Sequence, residues 1–210
     1  MTRPLVVTYG GTVEPIDDVR VITNLSRGSL GLAVVEHALA RGARVHALIG
    51  RFSHEPPRHR RLHVERFGSA IDLGRRLAAA LRAPAQPPGL AMLAAVADYR
   101  PKRRVRAKIR SDAPGLDLHL VANPKLVDRV QRWRKGARVV SFKLGGSATG
   151  QRALLELAEA QRQRTGSLAV VANYLPGRVH QAWWVAEDGV VRLDDRAAIA
   201  RAVVAALLAE

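Results

Sequence analysis

The chain has 210 residues, of which 48% are hydrophobic and 25% are charged, a composition typical of a globular protein with its own core. It contains no cysteine, which excludes disulfides, thiolate metal ligands and a thiol nucleophile. No apolar run matches a signal peptide or the ~20 residues of a membrane span, so we expect one cytoplasmic domain over residues 1–210 without membrane contact.

The charge balance is strongly positive, because 34 Lys and Arg residues outnumber 18 Asp and Glu residues and give a net charge of +16. Most of these cations are arginines spread along the chain, and the dense stretches 58–61 and 100–106 have few aromatic neighbours. Such a charge attracts anions. The distribution favours a solvated basic surface or a small polyanionic substrate over a nucleic acid.

Apolar runs alternate with helical patterns in chain order. The predicted elements are strand 5–8, helix 29–41, strands 44–49 and 62–67, helix 70–81, strand 91–96, helix 127–133, strand 138–142, helix 151–164, strand 168–172 and helix 197–208. This alternation predicts an α/β fold, with a Rossmann-like, mostly parallel sheet and helices on both of its faces.

Two segments interrupt the alternation with signals of antiparallel hairpins. Residues 108–110 and 116–121 flank a Pro–Gly turn, so we expect a hairpin lobe over about 102–122 that projects from the sheet. Near the end of the chain, an Asp–Gly pair predicts a turn between strands 182–186 and 190–193.

The projecting hairpin carries leucines at alternate positions, Leu116, Leu118 and Leu120. An exposed apolar strand face usually marks an interface, so we expect a two-fold homodimer through residues 108–121. The alternative is a hairpin that folds back onto its own domain.

A glycine turn, Gly10-Gly11 followed by Thr12, lies at the carboxyl end of the first predicted strand. Ligands of open α/β sheets bind at this edge, where glycines let backbone N–H groups approach a phosphate. A tight turn explains two glycines equally well, and the pattern is not the glycine fingerprint of dinucleotide-binding proteins.

A second polar segment precedes the first long helix and contains Asn24, Ser26, Gly28 and Ser29. Hydroxyls and free N–H groups at the positive end of a helix dipole form a site for anions. The alternative is an ordinary helix N-cap by Ser26 or Ser29.

Two further residues are candidates for a nucleotide site. Small residues around Ala95 end a buried strand and permit close approach of a flat ring, and Asp98 follows them. Asp98 either holds a cation or a ribose hydroxyl, or caps a turn. Lys108, on the predicted hairpin, either neutralises a polyphosphate or decorates the surface.

The segments 10–17, 19–31, 94–101, 108–109, 123–124, 141–144 and 171–173, in this order and spacing, resemble phosphopantothenate–cysteine ligases over nearly the whole chain. The resemblance implies that a nucleoside triphosphate, CTP rather than ATP, activates 4′-phosphopantothenate with Mg²⁺. The product would be an acyl-nucleotide, which the amine of cysteine converts to an amide on the route to coenzyme A. No flavodoxin-like pattern accompanies these segments, so we expect a stand-alone ligase.

The same resemblance implies roles for individual residues. Asn24 and Lys108 would be catalytic, and Asn24 and Asn173 would bind the acyl substrate. The residues implied in nucleotide binding are Gly10, Gly11, Thr12, Ser26, Gly28, Ala95, Asp98 and Phe142. No metal ligands are identified.

The chain also departs from the family at several positions. Arg27 replaces a Ser or Thr, Lys125 replaces an acidic residue, Gly145-Gly146 replaces Glu-Thr, and Thr165 and Leu168 replace a Lys and an Asp. These changes affect the nucleotide assignment more than the reaction class. Two alternatives remain, a non-catalytic nucleotide- or nucleic-acid-binding paralogue and a nicotinamide-dependent Rossmann oxidoreductase.

Overall fold

The structure, a computed structural model, describes residues 3–112, 114–174 and 181–209. In chain order the strands are β1 (Leu5–Tyr9), β2 (Val13–Pro15), β3 (Val21–Thr23), β4 (Val45–Gly50), β5 (Leu62–Phe67), β6 (Gly89–Met92), β7 (Tyr99–Pro101), β8 (Leu120–Ala122), β9 (Arg138–Gly145), β10 (Ala169–Tyr174), β11 (Ala182–Ala186) and β12 (Gly189–Leu193). The helices are α1 (Ser29–Ala40), α2 (Ala70–Arg82), α3 (Val130–Trp133), α4 (Gln151–Thr165) and α5 (Arg196–Leu208).

Eight of these strands form one sheet in the order β12-β11-β10-β9-β6-β1-β4-β5. The six strands from β10 to β5 are parallel, and β11 and β12 add an antiparallel edge. The predicted Rossmann-like α/β fold is therefore confirmed. The Asp–Gly hairpin near the end of the chain is confirmed as β11 and β12.

The helices cover both faces of the sheet because the buried side chains of β1 alternate. Leu5, Val7 and Tyr9 face a core with α1 and α5, whereas Val6 faces a second core with α2 and α3. Helix α4 packs over β10 and β11 in a third cluster. Within the described ranges, no helix combines the length and the apolarity needed to cross a bilayer.

The projecting hairpin has different strands from those predicted. Its antiparallel base is formed by β7 and β8, with Tyr99 opposite Ala122, and Lys102 N–H donates to the carbonyl of His119. The predicted pairing of 108–110 with 116–121 is wrong, because the backbone of Ile109 bonds to Asp17 and Arg20 instead. The true partner of β8 is therefore β7, which precedes the predicted partner in the chain.

Two other boundaries differ from the sequence prediction. Strand β6 ends at Met92 instead of residue 96, since the chain turns there to bond with Gly10 and Thr12. The predicted helix 127–133 is a 3-10 turn, Leu126–Arg129, that continues into α3. The sequence also gave no signal for the small hairpin of β2 and β3, which follows the glycine turn.

Candidate functional site

Three segments meet at the carboxyl end of β1 and are tied together by backbone hydrogen bonds. Gly11 N–H donates to the carbonyl of Ser26 at 3.1 Å, and Ala95 N–H donates to the carbonyl of Gly10 at 2.9 Å. Thr12 N–H returns a bond to the carbonyl of Ala95 at 3.2 Å. The structure thus brings together Gly10, Gly11, Thr12, Ser26 and Ala95.

Close packing explains the two glycines of the turn. Gly10 has a φ of +86°, and a Cβ there would lie 1.7 Å from the hydroxyl of Ser53. A Cβ on Gly11 would lie 2.7 Å from the carbonyl oxygen of Asn24. The N–H of Gly11 already bonds to Ser26. The role of this glycine in the structure is therefore to let two segments of the chain approach closely.

Thr12 is fully buried and positions its neighbours. Its hydroxyl accepts a hydrogen bond from the N–H of Ala97 at 3.0 Å, and its carbonyl accepts one from the hydroxyl of Thr23 at 2.8 Å. These bonds hold the glycine turn against the base of β3 and against the loop after β6. The structure therefore places Thr12 beneath the site and not on its surface.

Asn24 is exposed immediately after β3, and its Nδ2 donates to the carbonyl of Ala95 at 2.9 Å. This bond fixes the side-chain amide above the loop that follows β6. Among the described residues the amide has no further partner, so its Oδ1 and its second hydrogen are free for a ligand.

The first turn of α1 lies directly against Tyr9. A Cβ on Gly28 would lie 2.3 Å from Cδ2 of Tyr9, and a Cβ on Gly31 would lie 2.2 Å from Cβ of Tyr9. The N-cap is Gly28, which has a φ of +78° and makes no side-chain capping bond. The alternative that Ser26 or Ser29 is an N-cap is therefore wrong, and the helix start is open to an anion.

A cavity of about 160 Å³ adjoins this junction and contains both Asp98 and Phe142 in its lining. Lys125 Nζ lies 2.5 Å from Oδ1 of Asp98, and both side chains are more than half exposed. Asn123 shapes the loop from below, because its Nδ2 donates to the carbonyl of Ala97 and its N–H to the carbonyl of Asp98. Lys125, which replaces an acidic residue of the family, thus forms an ion pair with Asp98 at the cavity.

Gln161, on α4, is a residue of this cavity that the sequence did not indicate. Its Nε2 donates to the hydroxyl of Ser141 at 3.0 Å and to the carbonyl of Phe142 at 3.2 Å. The hydroxyl of Ser167 lies 3.2 Å from that of Ser141 and 2.7 Å from that of Thr165. Thr165, another departure from the family, is therefore part of a buried polar network behind the cavity.

Asn173 lies elsewhere, in a second cavity of about 90 Å³ between the ends of β10 and α5. Ser29 and Leu30 line the same cavity, so the start of α1 reaches it. Arg196, the first residue of α5, contributes a cation that the sequence did not indicate. The candidate residues for acyl binding are thus in different places, because Asn24 bonds to Ala95 and Asn173 lines the second cavity.

Lys108 is exposed on the segment between β7 and β8, and this segment is bound to the hairpin of β2 and β3. Ile109 N–H donates to Oδ2 of Asp17 at 3.1 Å, and Arg20 Nη1 donates to the carbonyl of Ile109 at 3.1 Å. Val105 N–H donates to the carbonyl of Ile16 at 2.9 Å. Lys108 therefore lies at the tip of this hairpin, whereas Asn24 lies at its base.

Asp17 is the buried anion that holds this arrangement. Its carboxylate accepts from the N–H groups of Val19 and Arg20, from the Arg20 guanidinium and from Ile109. Burial opposes the charge, but these hydrogen bonds hold the pKa of Asp17 well below its usual range. The segment that carries Lys108 is thus attached to a buried carboxylate.

The eight-stranded sheet and the junction at its carboxyl edge define an α/β protein of the Rossmann-like class. Residues 1–205 match the family described as the DNA/pantothenate metabolism flavoprotein C-terminal domain, and the chain belongs to this family. The family resemblance found in the sequence is thereby confirmed.

Curated relatives carry the name coenzyme A biosynthesis bifunctional protein CoaBC. The protein of Thermococcus kodakarensis is 34% identical over 173 residues, which are 82% of this chain and 41% of that protein. The protein of Mycobacterium tuberculosis strain H37Rv is 33% identical over 203 residues, with 89% and 47% covered. The chain spans less than half the length of these relatives.

Solved structures share the fold. The DNA/pantothenate metabolism flavoprotein from Streptococcus pneumoniae superposes with a TM-score of 0.87 at 24% identity, over 97% of both chains. The C-terminal domain of a CoaBC gives 0.78 at 23% identity, over 97% of this chain and 92% of that one. A Cab2 mutant in complex with phosphopantothenate-cysteine gives 0.77 at 22% identity, with 97% and 85% covered.

Proposed function

We propose that the chain catalyses the ligation of 4′-phosphopantothenate to cysteine in coenzyme A biosynthesis, with CTP as the energy source. Support comes from the family, from relatives named for coenzyme A biosynthesis and from the phosphopantothenate-cysteine complex of Cab2. In this reaction a carboxylate oxygen attacks the α-phosphorus of the nucleotide and pyrophosphate leaves. The cysteine amine then attacks the acyl carbon, loses a proton and releases the nucleoside monophosphate.

The hydrogen bond between Asn24 and Ala95 is the observation that carries this proposal. It fixes an exposed amide beside the loop whose next residues, Val96 to Asp98, line the larger cavity. A nucleotide in that cavity and an acyl group at Asn24 would join across this loop as an acyl phosphate. The amide would then donate a hydrogen bond to an acyl phosphate oxygen, where charge develops.

The proposed chemistry requires positioning and charge neutralisation, and it requires no protein nucleophile. The lack of cysteine in the chain agrees with this requirement. Lys108 would supply a cation to the triphosphate when its segment closes over the site. Gly10, Gly11, Thr12, Ser26 and Gly28 would act by shaping the backbone around the phosphates.

The choice of CTP over ATP rests on the family resemblance of the sequence. The larger cavity, of about 160 Å³, has room for the base of either nucleotide. Phe142 would lie beside the ring, and Asp98 would accept hydrogen bonds from the ribose or the base. Lys125 would donate to a carbonyl of the base, and Oε1 of Gln161, whose Nε2 is bonded to Ser141 and Phe142, would accept from its amino group.

The residues present also fit a magnesium ion that is held mainly by the nucleotide. Mg²⁺ keeps several waters and takes one or two carboxylates together with substrate phosphates. Of the residues that line the larger cavity, Asp98 is the carboxylate, and it is paired with Lys125. Asp98 would therefore hold the ion through at most one oxygen or through water.

The hairpin lobe supports the further proposal of a homodimer through residues 108–121. Leu116, Leu118 and Leu120 are 50%, 38% and 40% exposed, which leaves their apolar surface uncovered in one chain. A second copy of the chain would cover it, as is usual for exposed apolar patches.

An assay of pyrophosphate release tests the proposed function. We expect release with CTP and phosphopantothenate together, faster than with ATP, and none when phosphopantothenate is omitted. Added cysteine should convert the bound acyl-nucleotide to the amide product. Stoichiometric CTP binding without pyrophosphate release, in the presence of both substrates, would instead identify a non-catalytic nucleotide-binding paralogue.

A further inference from the structure

Two histidines and a glutamate form a cluster on the edge strand β5 and its neighbour β4. His46 and His63 are partners in the parallel register, and Glu65 lies two residues after His63 on the same face. Both histidines are the second residues of their strands. The cluster therefore lies near the amino ends of the parallel strands, whereas the glycine turn follows the carboxyl end of β1.

The ligand atoms of this cluster converge. His46 Nε2 lies 2.9 Å from Oε1 of Glu65, His63 Nε2 lies 3.3 Å from the same oxygen, and one ligand atom from each residue falls within 4.8 Å of the others. Bonds of about 2.0–2.1 Å from a tetrahedral metal ion place neighbouring ligand atoms roughly 3.3 Å apart. The two distances to Glu65 are thus near those of a metal site.

The Nε2 atom of His46 also points to a bound ion, because it is buried. His46 Nε2 is buried and, among the described residues, makes no well-aligned hydrogen bond, although Oε1 of Glu65 lies 2.9 Å away. A buried polar atom without a partner is costly. A metal ion between this nitrogen and the carboxylate would satisfy both groups.

Further contacts orient the glutamate. Arg76 Nη1 donates to Oε2 of Glu65 at 3.1 Å and leaves Oε1 facing the histidines, while Arg76 Nε is held by Asp72. Such contacts behind a metal ligand fix its orientation and sustain affinity.

We propose that His46, His63 and Glu65 bind a divalent transition metal ion, with Zn²⁺ the best match and water as the fourth ligand. Two imidazoles and one carboxylate suit zinc, whereas Mg²⁺ prefers oxygen ligands alone. The ion would join the edge strand β5 to β4. This site is separate from the proposed ligation chemistry, which does not require it.

Cobalt is the spectroscopic probe for this test. Tag-free protein, freed of metals with a chelator and kept without nucleotide, is titrated with Co²⁺ while visible absorption is recorded, and with Zn²⁺ in a calorimeter. We expect one equivalent to bind at micromolar or lower concentration and to raise the thermal midpoint. Affinity should fall as the pH is lowered, because protons compete with the metal ion for the imidazole nitrogens.

The variants change His63 and Glu65, which are more exposed than His46, so that loss of binding is not caused by failure to fold. His63→Ala, whose side chain is 68% exposed, should weaken Co²⁺ binding at least about 100-fold, and Glu65→Gln should do the same. His119→Ala removes an exposed histidine outside the cluster and should leave binding unchanged. Absence of saturable binding, or binding that survives His63→Ala and Glu65→Gln, would overturn the proposal.

Discussion

Ile109 N–H donates a hydrogen bond to Oδ2 of Asp17 across 92 residues of chain. The bond joins the segment that carries Lys108 to the hairpin of β2 and β3, which lies between Thr12 and Asn24. A lysine with a flexible side chain is thereby attached to a defined backbone position. The bond thus orders this segment partly before any ligand binds, which would lower the entropic cost of the closure over a triphosphate that we propose.

Asp17→Asn is expected to loosen this attachment and to lower the thermal midpoint. Because the pKa of Asp17 is depressed in the folded chain, its carboxylate contributes stability above the unfolded-state value near 3.9. That contribution is lost as pH falls through the folded-state pKa. The difference in midpoint between wild type and variant should therefore be constant above about pH 5 and shrink below pH 4.

Asp18→Asn is the control for this measurement. Asp18 is half exposed and contacts Arg104 at the surface, so its loss should change the midpoint little at any pH. Equal pH profiles for the two variants would show that the buried carboxylate has no special role.

Lys108→Gln is expected to slow the first half-reaction at least about 100-fold, which corresponds to roughly 2.7 kcal/mol of transition-state stabilisation. Nucleotide affinity should weaken less, because the junction around Gly10 and Ser26 is unchanged. Single-turnover pyrophosphate release measures the first effect, and calorimetry measures the second. Lys102→Gln, an exposed neighbour of equal charge, should be nearly silent. Equal losses in both variants would instead indicate a diffuse effect of charge.

Asn24→Ala and Asn24→Asp are expected to fold normally and to lose about 100- to 1,000-fold in amide formation, because one donor to the acyl phosphate is removed. The measurement is product formation at saturating substrates, with circular dichroism to check the fold. Leu25→Ala is the matched control, since the neighbouring leucine is 95% exposed. Wild-type rates in Asn24→Ala would refute the catalytic assignment.

Leu116→Asp combined with Leu120→Asp is expected to convert a homodimer to monomers, because the charges would be buried in the proposed interface. Light scattering after size-exclusion chromatography measures the mass. Val191→Asp, on the exposed face of β12, should keep the dimer. A monomer mass for the unmodified chain at micromolar concentration would exclude this assembly.

Gly31→Ala is expected to destabilise the fold by about 1–3 kcal/mol, because the added methyl group would overlap Tyr9. Denaturant unfolding measures the change. Gly115→Ala meets no atom within 4 Å and should leave the free energy of unfolding nearly unchanged. An unchanged free energy of unfolding in Gly31→Ala would mean that α1 moves away from β1 without cost.

Periodicity predicted the sheet and its long helices because their apolar faces repeat over many residues. It missed β2 and β3, whose three-residue strands are too short for a detectable period. It also misplaced the partner of β8, because the backbone of Ile109 is held by the distant Asp17 and not by its neighbours.

The sequence predicted which segments meet at the candidate site, but it did not predict which residues line each cavity. Residues after β1 and β6 meet because carboxyl ends of parallel strands share an edge. Asn173 and Asp98 nevertheless line different cavities, a separation that depends on where α1 begins. Gln161 gave no signal, since one amide on a helix has no distinctive spacing.

In the proposed function, the ion pair between Asp98 and Lys125 would affect how a nucleotide approaches the cavity. Its two charges cancel at the larger cavity, while exposed cations such as Arg103, Arg106 and Lys108 lie along the neighbouring segment. The charge of a nucleoside triphosphate is unevenly distributed, because the phosphates are negative and the base at the other end is neutral. The protein's field would therefore turn the molecule during diffusion, with phosphates toward the arginines and the ring toward the cavity, before any contact forms.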